Sequence, residues 1–173
     1  PSLAQDPAHF ILGEKHFTNI DIYSLFFDDN ADILYAGTNS GVYAYKQNKF
    51  IKIKEPKEQI GSSFFQLKQD NNGVVFCCNL SGQIFKIVDN KMILFYQVPP
   101  DKIITSFFFY FVEDNIIAVT RSKIIRINSQ GESELLLDGK QKNPFSDETH
   151  LSFFDCQQIQ NGDVYIPIYS EYS

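Results

Sequence analysis

The chain repeats itself about every 41 residues, and that periodicity limits its fold more than any other feature. In the first pass Asp28-Asp29-Asn30-Ala31-Asp32 leads into the apolar run Ile33-Leu34-Tyr35-Ala36-Gly37-Thr38. A turn at Asn39-Ser40-Gly41 is followed by Val42-Tyr43-Ala44-Tyr45-Lys46, and Gln47-Asn48 by Lys49-Phe50-Ile51-Lys52-Ile53. The second pass reads Asp70-Asn71-Asn72-Gly73, Val74-Val75-Phe76-Cys77-Cys78, Asn79-Leu80-Ser81-Gly82, Gln83-Ile84-Phe85-Lys86-Ile87 and then Asp89-Asn90-Lys91-Met92-Ile93-Leu94-Phe95. Leu34 and Val75 are 41 residues apart, as are Gly41 and Gly82.

A third pass runs from Glu113-Asp114-Asn115 through Ile116-Ile117-Ala118-Val119-Thr120 and Lys123-Ile124-Ile125-Arg126-Ile127 to Leu135-Leu136-Leu137, with Ile117 placed 42 residues after Val75. A fourth starts at Leu151-Ser152-Phe153-Phe154, turns at Asn161-Gly162-Asp163, continues through Val164-Tyr165-Ile166 and is incomplete at Ser173. Each complete pass is preceded by a further apolar run: Ile22-Tyr23-Ser24-Leu25-Phe26-Phe27, Ser63-Phe64-Phe65-Gln66-Leu67, and Ile104 to Phe111. That makes four strands per unit. The β-branched and aromatic bias favours strand over helix, and the Asn, Asp and Gly turns supply the positive φ of tight hairpins.

Four short antiparallel strands at this period predict an all-β fold of β-propeller blades, each burying both faces against its neighbours. Burial on two sides also accounts for the unbroken Phe107-Phe108-Phe109-Tyr110-Phe111 run, since such a strand need not alternate. The expected division is a lead-in at 1–16, blade 1 at 17–57, blade 2 at 58–101, blade 3 at 102–143 and an incomplete blade 4 at 144–173. Closed propellers have four to eight blades, so three blades and the start of a fourth form a partial propeller and read as part of a longer protein. Its uncovered terminal faces are expected to associate with one another.

Hydrophobic residues at 43% against 21% charged give ample core and exclude intrinsic disorder. A net charge of −6 leaves no basic face, so nucleic acid and anionic membranes are not expected as partners. No run reaches the ~18 apolar residues of a membrane span. Ser2-Leu3-Ala4 before Gln5 fits the small-residue pattern of a cleaved leader, making the start of the lead-in a candidate signal-peptide remnant. Cys77, Cys78 and Cys156 have neither disulfide-framework nor metal-ligand spacing; neighbouring Cys77 and Cys78 would face opposite sides of a strand as small buried hydrophobes.

The first repeat resembles the two-component regulator propeller repeat. Asp29-Asn30-Ala31-Asp32-Ile33-Leu34-Tyr35 followed by Gly37-Thr38-Asn39-Ser40-Gly41-Val42-Tyr43 stands where that family has Asp, Gly, a strand ending Trp-Ile-Gly-Thr, and Gly-Leu with an aromatic. The stretch from Gly13 to Leu25 is similar to the start of such a repeat. The family's Trp position is read as Tyr35, Phe76 and Ala118 in successive passes, and its Gly-Thr pair as Gly37-Thr38, Cys78-Asn79 and Thr120-Arg121. The resemblance implies a periplasmic input region of a sensor histidine kinase, anchored elsewhere by a membrane helix and responding in some members to polysaccharide fragments. A glycan or other small molecule is then the expected ligand.

Catalytic chemistry is not expected. His9, His16 and His150 lie in no zincin or hydrolase motif, and no metal or cofactor set is apparent. Asp28-Asp29-Asn30-Ala31-Asp32 has oxygens at alternate positions but lacks the Gly and Glu of a calcium loop, so it reads as a turn. Asp70-Asn71-Asn72-Gly73 resembles the structural Asp-box turn, and the acidic pairs Glu113-Asp114 and Asp147-Glu148 sit in loops. No ligand-binding residue is assigned; Tyr23, Tyr43 and Tyr45 are aromatics that could stack on a sugar, against the plainer alternative that they pack in blades. Function is thus expected to be ligand sensing by binding, the alternative being a soluble propeller that scaffolds protein interactions.

Overall fold

The computed structural model describes residues 12–13, 16–99, 107–139, 150–153, 156–159 and 162–171, with the side chains of 150–152 and 169–171 left aside. Its described elements are all strands: β1 (Ile22–Asp28), β2 (Ile33–Thr38), β3 (Gly41–Lys46), β4 (Lys49–Lys52), β5 (Phe64–Gln69), β6 (Val75–Asn79), β7 (Gln83–Val88) and β8 (Lys91–Gln97) in the first two units. The third holds β9 (Phe107–Val112), β10 (Asn115–Thr120), β11 (Lys123–Ile127) and β12 (Ser133–Asp138). These make three four-stranded antiparallel meanders, β1-β2-β3-β4, β5-β6-β7-β8 and β9-β10-β11-β12, which are propeller-like blades in an unclosed array.

β13 (His150–Phe153) pairs with β16 (Ile168–Glu171), and β14 (Gln157–Gln158) with β15 (Val164–Tyr165). The two pairings differ in register by one residue, so they are arms of one irregular hairpin that supplies the first two strands of the next unit.

The seams follow from strand alternation. Between blades 1 and 2 pack Ile33, Tyr35, Val42 and Ala44 from one side and Val75, Cys77, Phe85 and Ile87 from the other. Between blades 2 and 3 pack Phe76, Cys78 and Ile84 against Phe109, Ile116, Ala118 and Ile125. Val119 and Ile124 face Phe153 of the fourth unit. Both sides of β9 are covered, with Phe107, Phe109 and Tyr110 all buried, as the unbroken Phe run predicts. Cys77 and Cys78 are fully buried on opposite faces.

Two alignments are corrected. Tyr35 and Phe76 face forward toward the next blade, and their third-blade counterpart is Ile117, which packs with Val119 against the fourth unit; Ala118 faces backward. The Gly-Thr position therefore continues as Asn79 and Thr120, not as Thr120-Arg121, and the spacing stays at 41. The side chains agree: Thr38 Oγ1 accepts from Ser40 N at 3.0 Å, Asn79 Oδ1 from Ser81 N at 3.1 Å, and Thr120 Oγ1 from Ser122 N at 3.3 Å.

Gly41 and Gly82 are also not equivalent. Thr38 pairs with Gly41 across a two-residue turn, whereas Gly82 sits inside a three-residue turn after Asn79, so one extra residue lies behind their equal spacing. Gly41, at φ +113, occupies a region open only to glycine. The β3–β4 and β7–β8 hairpins close with Gln47-Asn48 and Asp89-Asn90, all four residues at positive φ as a type I′ turn requires.

Candidate ligand cleft at the blade rim

In an antiparallel meander the first-to-second and third-to-fourth turns emerge at the same end of the sheet. That rim carries the β1–β2, β5–β6 and β9–β10 turns and the turn of the fourth-unit hairpin. Asp28 Oδ1 accepts from Asn30 N at 3.1 Å and Ala31 N at 3.2 Å, spending the carboxylate on the turn as expected. Asp70 Oδ1 does likewise with Asn72 N at 3.0 Å and Val74 N at 2.8 Å. Glu113 and Asp114 form the exposed β9–β10 turn, Glu113 at φ +53. Asp147-Glu148 lies outside the described residues.

Two adjoining clefts open at this rim. One of about 410 Å³ separates blades 2 and 3. Its aromatic wall is Phe76, edge-on to Phe95 at 5.5 Å and to Phe111 at 5.2 Å between centroids. Lys86 Nζ stands 4.2 Å from the Phe95 centroid. Such a contact is worth ~0.5–1 kcal/mol where exposed.

Phe95 reaches this wall through a bulge: Ile84 pairs with Tyr96 and Phe85 with Leu94, so Phe95 has no partner across the ladder and is turned toward Phe76. Asp70, Glu113, Asp114 and Asn128 place polar groups around the mouth.

The second cleft, of about 600 Å³, touches the first strand of every unit, through Phe26, Leu67, Phe111 and Gln158. It shares Asn71, Phe111 and Glu113 with the first. Polar side chains join the first strands here: Ser24 Oγ accepts from Leu67 N at 3.4 Å, Gln66 Oε1 from Phe109 N at 2.8 Å, and Gln158 Nε2 donates to Phe111 O at 2.6 Å. Tyr110 donates its hydroxyl to Cys156 O, and burial, the largest cause, pushes its phenol up to about 12. Burial lowers the Lys68 ammonium from its ordinary value.

The three tyrosines named from sequence lie elsewhere. Tyr43 is buried on the backward face of blade 1 against Phe17, at 5.3 Å, and His16, at 5.8 Å. Tyr45, half-buried, donates to Asn48 Oδ1 at 3.1 Å and lines a separate hollow of about 350 Å³ on that face. Tyr23 is exposed and stacks on Phe65 at 4.6 Å. His16 stacks on Phe50 at 5.2 Å. His9 lies outside the described residues, as does the His150 side chain.

The cleft residues Phe95, Lys86 and Lys68 belong to no motif; the one signal for Phe95 is that Leu94-Phe95-Tyr96 breaks alternation in an otherwise regular strand. Among the described residues no group of three or more His, Cys, Asp or Glu is placed to hold a metal.

No protein-family model matches the chain and no curated protein does. Solved structures share the fold. The extracellular domain of BT4673 from B. thetaiotaomicron, described both as a hybrid two-component and as a one-component system, superposes with TM-scores of 0.61 and 0.57. Identities are 12% and 9%, over 86% and 84% of this chain but only 20% and 19% of those chains. An auxiliary nutrient binding protein from Bacteroides thetaiotaomicron gives 0.51 at 12% identity over 84% of this chain and 46% of its own. The computationally designed Ika4 protein gives 0.51 at 15% identity over 87% of this chain and 91% of its own. The chain thus spans about a fifth of the BT4673 domain, and at these identities the likeness is one of fold.

Proposed function

We propose that this chain is part of the extracytoplasmic input propeller of a two-component sensor histidine kinase and that it takes its ligand, a glycan, in the adjoining rim clefts. The carrying observation is the aromatic wall of Phe76, Phe95 and Phe111 beneath a mouth of carboxylates and amides, since a sugar offers an apolar face for rings and hydroxyls for acceptors. The resemblance of the first repeat to the two-component regulator propeller, and structural neighbours that include sensor extracellular and nutrient-binding proteins, support it. Signalling is by binding, with catalysis left to a kinase module elsewhere in the protein. Isothermal titration of the chain with oligosaccharide pools tests this. Saturable heat that falls at least tenfold in affinity on Phe95→Ala is the expected result; no heat from any pool, or heat unaffected by Phe95→Ala, overturns the cleft assignment.

A further inference from the structure

The second cleft contains a cation that has no counterion among the described residues. Gln66, at φ +49, and Leu67 form a bulge in β5, since Phe65 pairs with Cys78 but Lys68 with Phe76. The extra residue brings Lys68 onto the face directed at blade 3, and a positive φ at a non-glycine residue is a strain the local structure has to hold. There the Lys68 ammonium lies 4.0 Å from the Tyr110 ring centroid and 5.8 Å from that of Phe109. It forms no ion pair among the described residues, although Glu113 and Asp163 line the same cleft.

Half-burying an ammonium without an anion is unfavourable, and the depressed Lys68 pKa is the same cost seen from the proton's side. An anion arriving from solution removes it. A lysine is a point charge with three donors, suited to one carboxylate. The carboxylates of Glu113 and Asp163 repel a ligand of higher charge.

We propose that Lys68 is a specificity-determining residue of the sugar site, and that the ligand is a glycan carrying a single uronate-type carboxylate that meets Lys68 while its neighbouring ring lies toward Phe111. This rests on the glycan reading above and adds the charge class of the ligand. Phe111 connects the two, since it borders both clefts.

The test is a glycan array of neutral oligosaccharides and their uronate-bearing counterparts, followed by titration of the best matched pair against the unmodified chain, Lys68→Met and Lys68→Arg. Thermal melting confirms that each variant is folded. The expected result is a preference of tenfold or more for the uronate, shrinking as salt is raised, lost in Lys68→Met and retained at least in part in Lys68→Arg. Equal binding of both members, or a preference that survives Lys68→Met, overturns the role of Lys68 and leaves the glycan reading standing. Binding of neither series removes both.

Discussion

The seam between blades 1 and 2 and the seam between blades 2 and 3 are built by the same repeat and are filled differently. In the first, Phe64 and Phe85 are fully buried and meet edge-on at 5.6 Å, while Cys77 Sγ lies 3.8 Å from Met92 Sδ. In the second, the forward-facing Phe76 is buried but Phe95 and Phe111 are only half so, and Lys86 stands among them. The β8 bulge at Phe95 is where they part; β3 and β4 pair without one. At Phe95 one extra residue in the ladder re-aims a large ring out of the packed layer and toward the cleft.

The largest test of this contrast is a pair of truncations. Phe85→Ala removes a fully buried ring from the closed seam and is expected to cost about 3–5 kcal/mol in urea unfolding. Phe95→Ala removes a ring already in partial contact with water and should cost about 1–2 kcal/mol, since less apolar area returns to solvent. Equal losses would mean that the second seam is packed as tightly as the first.

A smaller effect is expected at the turn that braces the closed seam. Gly41 donates its N–H to Ser62 O at 2.9 Å in the link to blade 2, and a Cβ there would come within 2.5 Å of Glu55 Oε1 and 2.6 Å of Lys52 Cε. Both are ends of flexible side chains that can move aside, so the cost of Gly41→Val is the backbone strain at φ +113, about 1–3 kcal/mol. An unchanged melting temperature would show that the turn relaxes without loss.

What could be read in the sequence was what repeats. Strand number, the hairpin turns and the opposite facing of Cys77 and Cys78 follow from period and alternation. The bulges do not, since a strand with one extra residue has the same composition as one without. The misreading of Ala118 for Ile117 has a similar origin: both are apolar, and only packing tells which faces forward. Tyr43 and Tyr45 are aromatics of the kind that could carry a sugar, yet alternation puts them on the backward face of blade 1, turned from the two clefts. Lys68 and Lys86 are isolated cations in strands, which read as solvated until the rings beneath them are seen.

The subtlest test uses the two adjacent cysteines as reporters of their own seams. Cys77 faces blade 1 and Cys78 faces blade 3, both fully buried. Burial is the main cause raising both thiols above their ordinary value, so neither reacts until its seam opens. In the native protein under iodoacetamide, with fragmentation mass spectrometry distinguishing the two positions, Cys78 should be alkylated several-fold faster than Cys77, because its seam ends in half-buried rings around the first cleft, whereas the other meets a cleft only at Phe26 and Leu67. Addition of a ligand that fills the cleft should slow Cys78 and leave Cys77 unchanged. The reverse order of labelling would place the weaker seam between blades 1 and 2 and remove the link drawn between the Phe95 bulge and local opening. Equal rates would mean that both thiols are exposed by one concerted opening of blade 2, in which case the cleft is a feature of shape without being a point of lower stability.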